Sequence, residues 1–242
     1  MSQETAAARP GYTDFLSANR GGNLFTLHIN QRIGACCALI GHRLGLSPTG
    51  LTMINLVFSI GAAACVIAVT PAAVAGDLPW WPIALIVAIA WQLAYSLDCA
   101  DGQLARVTGT GSPSGARVDV LCDVVSQSGF VAAVSAVAVA YNPETPVWFV
   151  AVFASLWMVN LVTSVLQTGE SSGSILTSKN LVVETGKMIR DTGAIVLLMP
   201  LVLVVHPPWM IWFMVLFTAT NGLFLLASIA FTARDALKAS AS

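Results

Sequence analysis

Long apolar stretches separated by short polar ones run along most of the chain after its first 25 residues. Six of these stretches approach the roughly 20 apolar residues that a helix needs to cross a bilayer. They are residues 51–69, 81–97, 118–140, 147–166, 192–205 and 209–231, of which the fifth is short. Because a backbone in lipid must satisfy its own hydrogen bonds, we predict that all six are helices.

Residues 26–45 show a different pattern. Leu27, Ile33, Ile40 and Leu44 recur near helical spacing, with polar side chains such as Arg32 between them. This spacing is typical of an amphipathic helix, which we expect to lie on the cytoplasmic leaflet, to pack on the helix bundle, or to do both. The whole pattern predicts an all-α integral membrane protein, with six transmembrane helices preceded by a cytoplasmic amphipathic interfacial helix.

Composition supports a membrane protein, since 56% of the 242 residues are hydrophobic and 10% are charged, against about 25% charged residues in a typical soluble domain. With six spans, all 11 Lys and Arg residues fall on one side, in the N-terminal segment, the loops after spans two and four, and the C-terminus. Positive charge marks the cytoplasmic side. We therefore expect an integral cell-membrane protein with both termini and the active site on the cytoplasmic side.

The expected domains are a flexible cytoplasmic N-terminal tail (1–25), a six-span domain (26–232) that includes the amphipathic helix, and a cytoplasmic C-terminal tail (233–242). The formal net charge of −1 indicates nothing about a nucleic-acid partner, and no basic cluster suggests one, so we expect no nucleic-acid partner. The five cysteines lie in or beside apolar segments without metal-type spacing, so we interpret them as small buried side chains.

Four aspartates stand close together in residues 98–123, which read DCADGQLARVTGTGSPSGARVDVLCD. Asp98 and Asp101 are three residues apart and share one helix face, whereas Asp119 and Asp123, four apart, share a face of the next helix. The intervening stretch is rich in Gly, Ser and Thr and reverses the chain. Both pairs are therefore expected to point into one space at the membrane edge.

Carboxylates gathered this closely repel one another and need compensation. Oxygen ligands favour a hard cation such as Mg²⁺ or Mn²⁺, and paired ions of this kind can clamp a phosphoryl transfer. Arg106 suits a diphosphate because its guanidinium matches two oxygens, and Gly102 and Gly115 allow close approach of a ligand. These residues predict a metal site that binds a phosphate-bearing substrate.

With its spacing D-x2-D-G-x2-A-R-x8-G-x3-D-x3-D, the stretch resembles the signature of the CDP-alcohol phosphatidyltransferases at every fixed position. The resemblance implies transfer of a phosphatidyl-type group from a CDP-linked lipid such as CDP-diacylglycerol to an acceptor alcohol, with release of CMP. It also implies two Mg²⁺ or Mn²⁺ ions and a homodimer. The four aspartates would be metal ligands, and Asp123 would also be the general base. The implied CDP-lipid contacts are Thr49, Gly50, Leu51, Thr52, Gly102, Arg106, Ser112 and Gly115.

The acceptor is less well defined. Relatives that use inositol phosphate carry basic residues near the end of span four and an Arg after the last aspartate. This chain has Gln167, Gly169 and Val124 at those places, which disfavours inositol phosphate and leaves glycerol 3-phosphate, a polyol or an amino alcohol. Lys187 and Arg190 are candidate acceptor contacts, although cytoplasmic flanking charge would also explain them.

Other classes of protein share some of these features. A Mg²⁺-dependent intramembrane prenyltransferase also uses aspartates to hold a diphosphate, but such enzymes generally have more spans and two separate motifs. A divalent-cation transporter would use aspartates as an ion site, but transport sites usually lie near the bilayer midplane on broken helices. A scaffold protein that keeps the fold without activity is a third alternative, against which the intact motif weighs.

Overall fold

A computed structural model describes residues 9–19, 22–167 and 191–239. Within these ranges every regular element is helical. In chain order they are α1 (Tyr12–Ser17), a π-helical turn (Thr26–Asn30) that runs directly into α2 (Gln31–Arg43), α3 (Pro48–Ala75), α4 (Trp80–Thr108), α5 (Pro113–Tyr141), α6 (Val147–Gln167), α7 (Thr192–Val205), a 3₁₀ turn (Pro207–Trp209) and α8 (Met210–Ala239).

Four helical segments are long and apolar enough to cross a membrane by length and composition: Pro48–Ala75, Trp80–Thr108, Pro113–Tyr141 and Pro207–Ala230. Two shorter apolar segments cover Val147–Val162 and Thr192–Val205. At about 1.5 Å per residue, α7 is roughly 21 Å long, shorter than a bilayer core of roughly 30 Å. The prediction of a helical membrane protein is confirmed, whereas the count of six spans stays a prediction.

The connection between α4 and α5 is shorter than the Gly- and Ser-rich sequence indicates. α4 continues to Thr108 and α5 begins at Pro113. Gly109 ends α4 with φ +67°, in the left-handed region that favours glycine. Ser112 caps α5, because its Oγ accepts a hydrogen bond from the Gly115 N–H at 3.0 Å. Gly109 and Ser112 are therefore helix caps, and all four aspartates lie within helices.

α3 begins with the same local arrangement as α5. Ser47 Oγ accepts from the Gly50 N–H at 3.0 Å, and Pro48 takes the first helical position, where its missing N–H costs nothing. The sequence Ser-Pro-x-Gly thus starts both helices, at 47–50 and at 112–115.

The centre of the bundle is formed by α3, α4 and α5, with α6, α7 and α8 packed around them. An aromatic cluster fills the middle, far from the α4–α5 turn. It contains Trp91, Phe130, Phe153, Trp157 and Phe217, with ring centroids between 5.0 and 5.6 Å apart for the contacting pairs. Buried aromatic rings of this size contribute much of the packing energy of a helix bundle.

The segment before α2 differs from the flexible tail expected for residues 1–25. Tyr12–Ser17 forms α1, and Phe15 is fully buried against α2 and α4, with its ring centroid 5.9 Å from that of His42. A single buried aromatic side chain gives this short helix an anchor that the polar composition around it does not suggest. Residues 12–17 therefore form an ordered helix within the segment expected to be a tail.

α2 packs on the bundle through its small residues. A Cβ on Gly34 would lie 3.0 Å from Cys99 Cβ, and one on Gly41 would lie 3.2 Å from Leu51. The large apolar side chains point away, with Ile40 57% and Leu44 70% exposed. Small residues thus form the side of the helix that faces the bundle, and the amphipathic interfacial helix stays a prediction.

Candidate metal centre

The α4–α5 hairpin brings the four aspartates together at one end of the bundle. Carboxylate oxygens of Asp98, Asp101 and Asp119 all lie within 4.8 Å of one another. The side chain of Asp123 lines the same pocket as that of Asp98. Helical spacings of three and four residues place each pair on one face, as the sequence predicts.

α3 supplies polar groups that hold the α4 carboxylates. Thr52 Oγ1 donates to Asp101 Oδ2 at 2.6 Å, and Asn55 Nδ2 donates to Asp98 Oδ1 at 3.4 Å. Both α3 side chains are buried, with Asn55 4% exposed. The hydroxyl of Thr52 thus orients a candidate metal ligand, and the expected contact of Thr52 with the nucleotide stays a prediction.

These residues fit a divalent cation. Asp119 Oδ1 is buried and has no hydrogen-bond partner in the part of the chain that the structure describes. An orphaned carboxylate oxygen is costly unless a cation or a donor reaches it. The donor set consists of carboxylate oxygens, which hard ions such as Mg²⁺ and Mn²⁺ prefer. The cluster could therefore bind a metal ion.

Gly102 leaves room for Arg106. A Cβ on Gly102 would lie 2.9 Å from Arg106 Nη1 and 3.2 Å from Nη2, so any side chain there would displace the guanidinium. Arg106 Nε donates to the main-chain oxygen of Ala18 at 2.6 Å. The absence of a side chain at Gly102 thus lets the Arg106 guanidinium lie against the helix. The sequence analysis had assigned this glycine only the close approach of a ligand.

The starts of α3 and α5 meet beside the aspartates. A Cβ on Gly115 would lie 3.1 Å from Ser112 Oγ and 3.5 Å from Thr49 Oγ1. The two helix starts point their positive dipole ends to this side, which favours an anion. Leu51, expected to contact the nucleotide, is 2% exposed and packs against Gly41 of α2. Leu51 is therefore a core residue.

Two buried polar pairs join the π-helical turn and the start of α2 to the aspartate-bearing part of α4. Asn30 Nδ2 donates to Ser96 Oγ at 3.3 Å, and Gln103 Nε2 donates to Gln31 Oε1 at 2.7 Å. Ser96 and Gln103 each lie two residues from an aspartate. α2 thus fixes the backbone that carries Asp98 and Asp101.

Asp191 is a structural residue that sequence reasoning missed. It is 2% exposed, and its carboxylate accepts from the N–H groups of Phe25 (2.8 Å), Thr26 (3.3 Å) and Gly193 (3.0 Å). It also accepts from Thr26 Oγ1 at 2.5 Å. One side chain therefore caps two helix starts, and the available signal was an acidic residue directly before an apolar stretch.

A pocket opens on the side of Asp98 and Asp123 away from the α4–α5 turn. Sequence reasoning missed its other residues, although they follow from helical spacing. Trp91 and Tyr95 precede Asp98 by seven and three residues, and Gln127 follows Asp123 by four. The lining consists of Asn55, Ser59, Trp91, Ala94, Tyr95, Asp98, Asp123, Ser126, Gln127, Phe130, Thr192, Ile195 and Val196. The expected acceptor contacts Lys187 and Arg190 lie outside the described residues, as does Gly169.

Comparison with known proteins identifies a family and a relative. A family model described as CDP-alcohol phosphatidyltransferase matches residues 46–220. Cholinephosphotransferase 1 of Xenopus laevis is 35% identical over 83 residues, which cover 34% of this chain and 20% of that protein. The chain therefore matches about a fifth of the length of this relative.

Proposed function

The chain belongs to the CDP-alcohol phosphatidyltransferase family, which makes it a membrane transferase of phospholipid biosynthesis, and from this premise we propose its reaction. A phosphatidyl-type group passes from CDP-diacylglycerol to the hydroxyl of an acceptor alcohol, and CMP is released. The observation that carries the proposal is the cluster of aspartate carboxylates with the buried, unpartnered Asp119 Oδ1. Neither a prenyltransferase nor a cation transporter has this support from a family match.

Asp98, Asp101, Asp119 and Asp123 would hold two divalent cations, Mg²⁺ or Mn²⁺. When bound, such ions neutralise a diphosphate and lower the pKa of a coordinated hydroxyl. Thr52 and Asn55 keep the Asp101 and Asp98 carboxylates oriented through their hydrogen bonds. Residues that hydrogen-bond to metal ligands commonly change metal affinity by about 10- to 100-fold.

The donor's diphosphate binds beside Arg106 and the paired helix starts. The guanidinium supplies a forked donor for phosphate oxygens. Thr49, Gly50, Ser112 and Gly115 line the surface where both helix dipoles favour negative charge. We keep these residues, with Gly102, as the donor-binding set, and we leave out Leu51 because its side chain is in the core.

Asp123 acts as the general base. It accepts the proton of the acceptor hydroxyl as that oxygen bonds to the lipid-side phosphorus, while the bond from this phosphorus to the CMP oxygen breaks. Asp123 borders the pocket away from the turn, so an acceptor in that pocket lies beside it. A base that stands beside a bound hydroxyl meets the geometric requirement for general base catalysis.

The membrane arrangement is also a proposal. Six spans place all Lys and Arg residues on the cytoplasmic side, together with both termini and the aspartates. Residues 26–45 lie on the cytoplasmic leaflet, since Ile33, Ile40 and Leu44 present an exposed apolar side next to it. Residues 26–232 form the catalytic domain, which we expect to be a homodimer.

A second reaction within the family has to be tested beside the first. The Xenopus relative is named a cholinephosphotransferase, which indicates transfer of a phosphocholine group by that protein. In that orientation the head-group alcohol arrives on CDP and a diacylglycerol hydroxyl is the acceptor. Both orientations release CMP, so only the pairing of donor and acceptor separates them.

The experiment measures CMP release by purified protein in detergent with Mg²⁺. One arm supplies CDP-diacylglycerol with glycerol, inositol, serine, glycerol 3-phosphate or inositol phosphate. The other supplies CDP-choline or CDP-ethanolamine with diacylglycerol. We expect release in the first arm, lost on chelation. Release confined to the second arm would reverse the donor assignment, and no release or donor binding in either arm would contradict the proposal.

Asp123→Asn tests the assignment of the base. We expect turnover to be abolished while CDP-diacylglycerol binding is largely kept, because the amide cannot accept the hydroxyl proton but leaves three aspartates at the site. If the variant also loses donor binding, measured by titration calorimetry in Mg²⁺, Asp123 is mainly a structural metal ligand.

A further inference from the structure

A buried carboxylate joins two helix starts near the metal centre. Asp191 accepts from the N–H groups of Phe25 and Thr26 and from Thr26 Oγ1, so it holds the π-helical turn that precedes α2. It also accepts from the Gly193 N–H at 3.0 Å and thereby caps α7. Because Asp191 is only 2% exposed, its carboxylate fixes the start of α7 and the π-helical turn to each other out of contact with solvent.

Close packing supports the same contact. A Cβ on Gly193 would lie 2.5 Å from Asn30 Oδ1 and 3.0 Å from the main-chain nitrogen of Thr26. The first of these distances is too short for any Cβ contact, so a larger residue at 193 would move the π-helical turn away from α7. We call this contact the Asp191 junction, which consists of Asp191, Gly193 and the π-helical turn Thr26–Asn30.

The Asp191 junction reaches α4 through two hydroxyl groups. Thr26 Oγ1 donates its single proton to Asp191 Oδ1 at 2.5 Å, so in its 3.0 Å contact with the Tyr95 hydroxyl it is the acceptor. Tyr95 therefore donates to Thr26, and Thr26 donates to Asp191. The last acceptor is a carboxylate held by main-chain N–H groups, and hydrogen bonds to charged groups are the stronger ones.

A second hydrogen bond joins the Asp191 junction to the next residue of α4. Ser96 Oγ donates to the main-chain oxygen of Gln92 at 2.8 Å, so it accepts from Asn30 Nδ2 at 3.3 Å. Ser96 is fully buried, and Asn30 is 1% exposed. Two side chains of the π-helical turn thus hold consecutive residues of α4.

These two residues of α4 lie directly before the first aspartate. Tyr95 and Asp98 are three residues apart, so they share one face of the helix. The hydrogen bond that Asn55 donates to the Asp98 carboxylate is long, at 3.4 Å, whereas Thr52 donates to Asp101 at 2.6 Å. A long hydrogen bond constrains its acceptor weakly. The direction of the Asp98 carboxylate therefore depends more on how firmly its own turn of α4 is held.

We propose that Asp191 is a positioning residue for the metal centre: through Thr26 and Tyr95 it holds the turn of α4 before Asp98 and so sets the direction of this candidate metal ligand. The inference rests on the proposed function, in which Asp98 binds a divalent cation, and adds a positioning residue to it. Because Asp191 acts through α4 and is not itself a ligand, its effect is expected first in metal affinity.

The test measures Mn²⁺ binding to the purified protein in detergent by electron paramagnetic resonance, without substrate. Thr26→Val keeps the shape of the side chain but removes the donor to Asp191 and the acceptor for Tyr95. We expect the Mn²⁺ affinity to fall about fivefold, the usual effect of one lost hydrogen bond. Thr26→Ser is the matched control, because it retains the hydroxyl and should bind Mn²⁺ as the wild-type protein does.

Two further variants separate positioning from a general loss of stability. Asp191→Asn should lower the Mn²⁺ affinity and add little in a Thr26→Val background, because both changes interrupt the same chain of hydrogen bonds. Asn142→Ala removes the hydrogen bonds that Asn142 Nδ2 donates to the main-chain oxygens of Ala138 and Pro208, at the end of α5 far from the aspartates. This variant should lower the Tm and leave the Mn²⁺ affinity unchanged.

The inference is overturned if Thr26→Val binds Mn²⁺ as tightly as Thr26→Ser, or if Asn142→Ala weakens binding to the same extent as Thr26→Val. CMP release by the wild-type protein would still support the proposed function in both cases. Absence of CMP release from a protein whose Mn²⁺ affinity depends on the Thr26 hydroxyl would instead remove the proposed transfer and leave the positioning role of Asp191 in place.

Discussion

The two ends of the α3–α4–α5 core are built from different interactions. Near the α4–α5 turn lies a polar layer, formed by the buried pairs Asn30–Ser96, Gln31–Gln103, Thr52–Asp101 and Asn55–Asp98. Further along α4 and α5 lies the aromatic cluster, in which Trp91 and Phe130 pack against rings of α6 and α8 and side-chain hydrogen bonds are few. Each hydrogen bond of the polar layer fixes one atom to one partner, whereas a ring can shift slightly without losing its contacts.

This difference indicates that the polar layer and the aromatic cluster have different roles. Ordered carboxylates need partners with fixed directions, and buried polar networks provide them only when most members are satisfied. The aromatic cluster provides the packing against which those partners are held. We therefore expect substitutions in the aromatic cluster to change mainly stability, and substitutions in the polar layer to change mainly metal binding and turnover.

The largest effect is expected in the aromatic cluster. Phe217 is 1% exposed, and its ring centroid lies 5.2 Å from that of Trp157. Phe217→Ala removes these contacts and leaves a cavity, which typically costs about 3–5 kcal/mol. Thermal unfolding in detergent should show a clearly lower Tm. Trp212→Ala is the control, because Trp212 on the same helix is 66% exposed.

The role of the aromatic cluster in stability would be contradicted if Phe217→Ala unfolded near the Tm of Trp212→Ala. The comparison with the polar layer would also fail if the folded variant, assayed below its Tm, showed a changed Mg²⁺ requirement. The second result would mean that the aromatic cluster helps to set the geometry of the carboxylates.

An intermediate effect is expected in the polar layer. Thr52→Val keeps the shape of the side chain and removes the hydrogen bond to Asp101. Loss of such a partner to a metal ligand commonly lowers metal affinity or activity by about 10- to 100-fold. The measurement is CMP release against Mg²⁺ concentration. We expect the apparent Mg²⁺ affinity to fall within this range while the Tm changes little.

Thr70→Val provides the matched control on α3. Thr70 is 3% exposed and its Oγ1 donates to the main-chain oxygen of Val66 at 2.7 Å, one turn back and far from the aspartates. The Mg²⁺ dependence of this variant should equal that of the wild-type protein. Equal shifts in both valine variants would show a general effect of α3 and not a specific role of Thr52.

The polar layer also shows where sequence reasoning stops. Spacing along one helix placed Asp98 with Asp101 and Asp119 with Asp123, because helical geometry is local. The contact from Thr52 to Asp101 joins residues 49 positions apart, and that from Asp191 to Thr26 joins residues 165 apart. Such pairs depend on how helices pack, which a single sequence does not reveal. At Gly102, the contact with Arg106, four residues further along the same helix, adds a role that the sequence analysis did not assign.

The smallest effect is expected where α1 touches the site. Phe15 anchors α1, and the Ala18 carbonyl that follows accepts from Arg106 Nε at 2.6 Å. Phe15→Ala should loosen α1 and release this contact between Ala18 and Arg106. Because one hydrogen bond is worth about 1 kcal/mol, we expect the KM for CDP-diacylglycerol to rise about fivefold.

A double-mutant cycle with Arg106→Lys decides whether the effect passes through the guanidinium, since lysine has no Nε–H at the position that meets Ala18. If α1 acts by orienting Arg106, Phe15→Ala should raise the donor KM in the wild-type background and add little in Arg106→Lys. Additive effects would instead mean that α1 supports the site through the packing of α2 and α4. In that case the polar layer would consist only of the hydrogen bonds made by α2 and α3. The contribution of α1 to the site would then come from apolar packing.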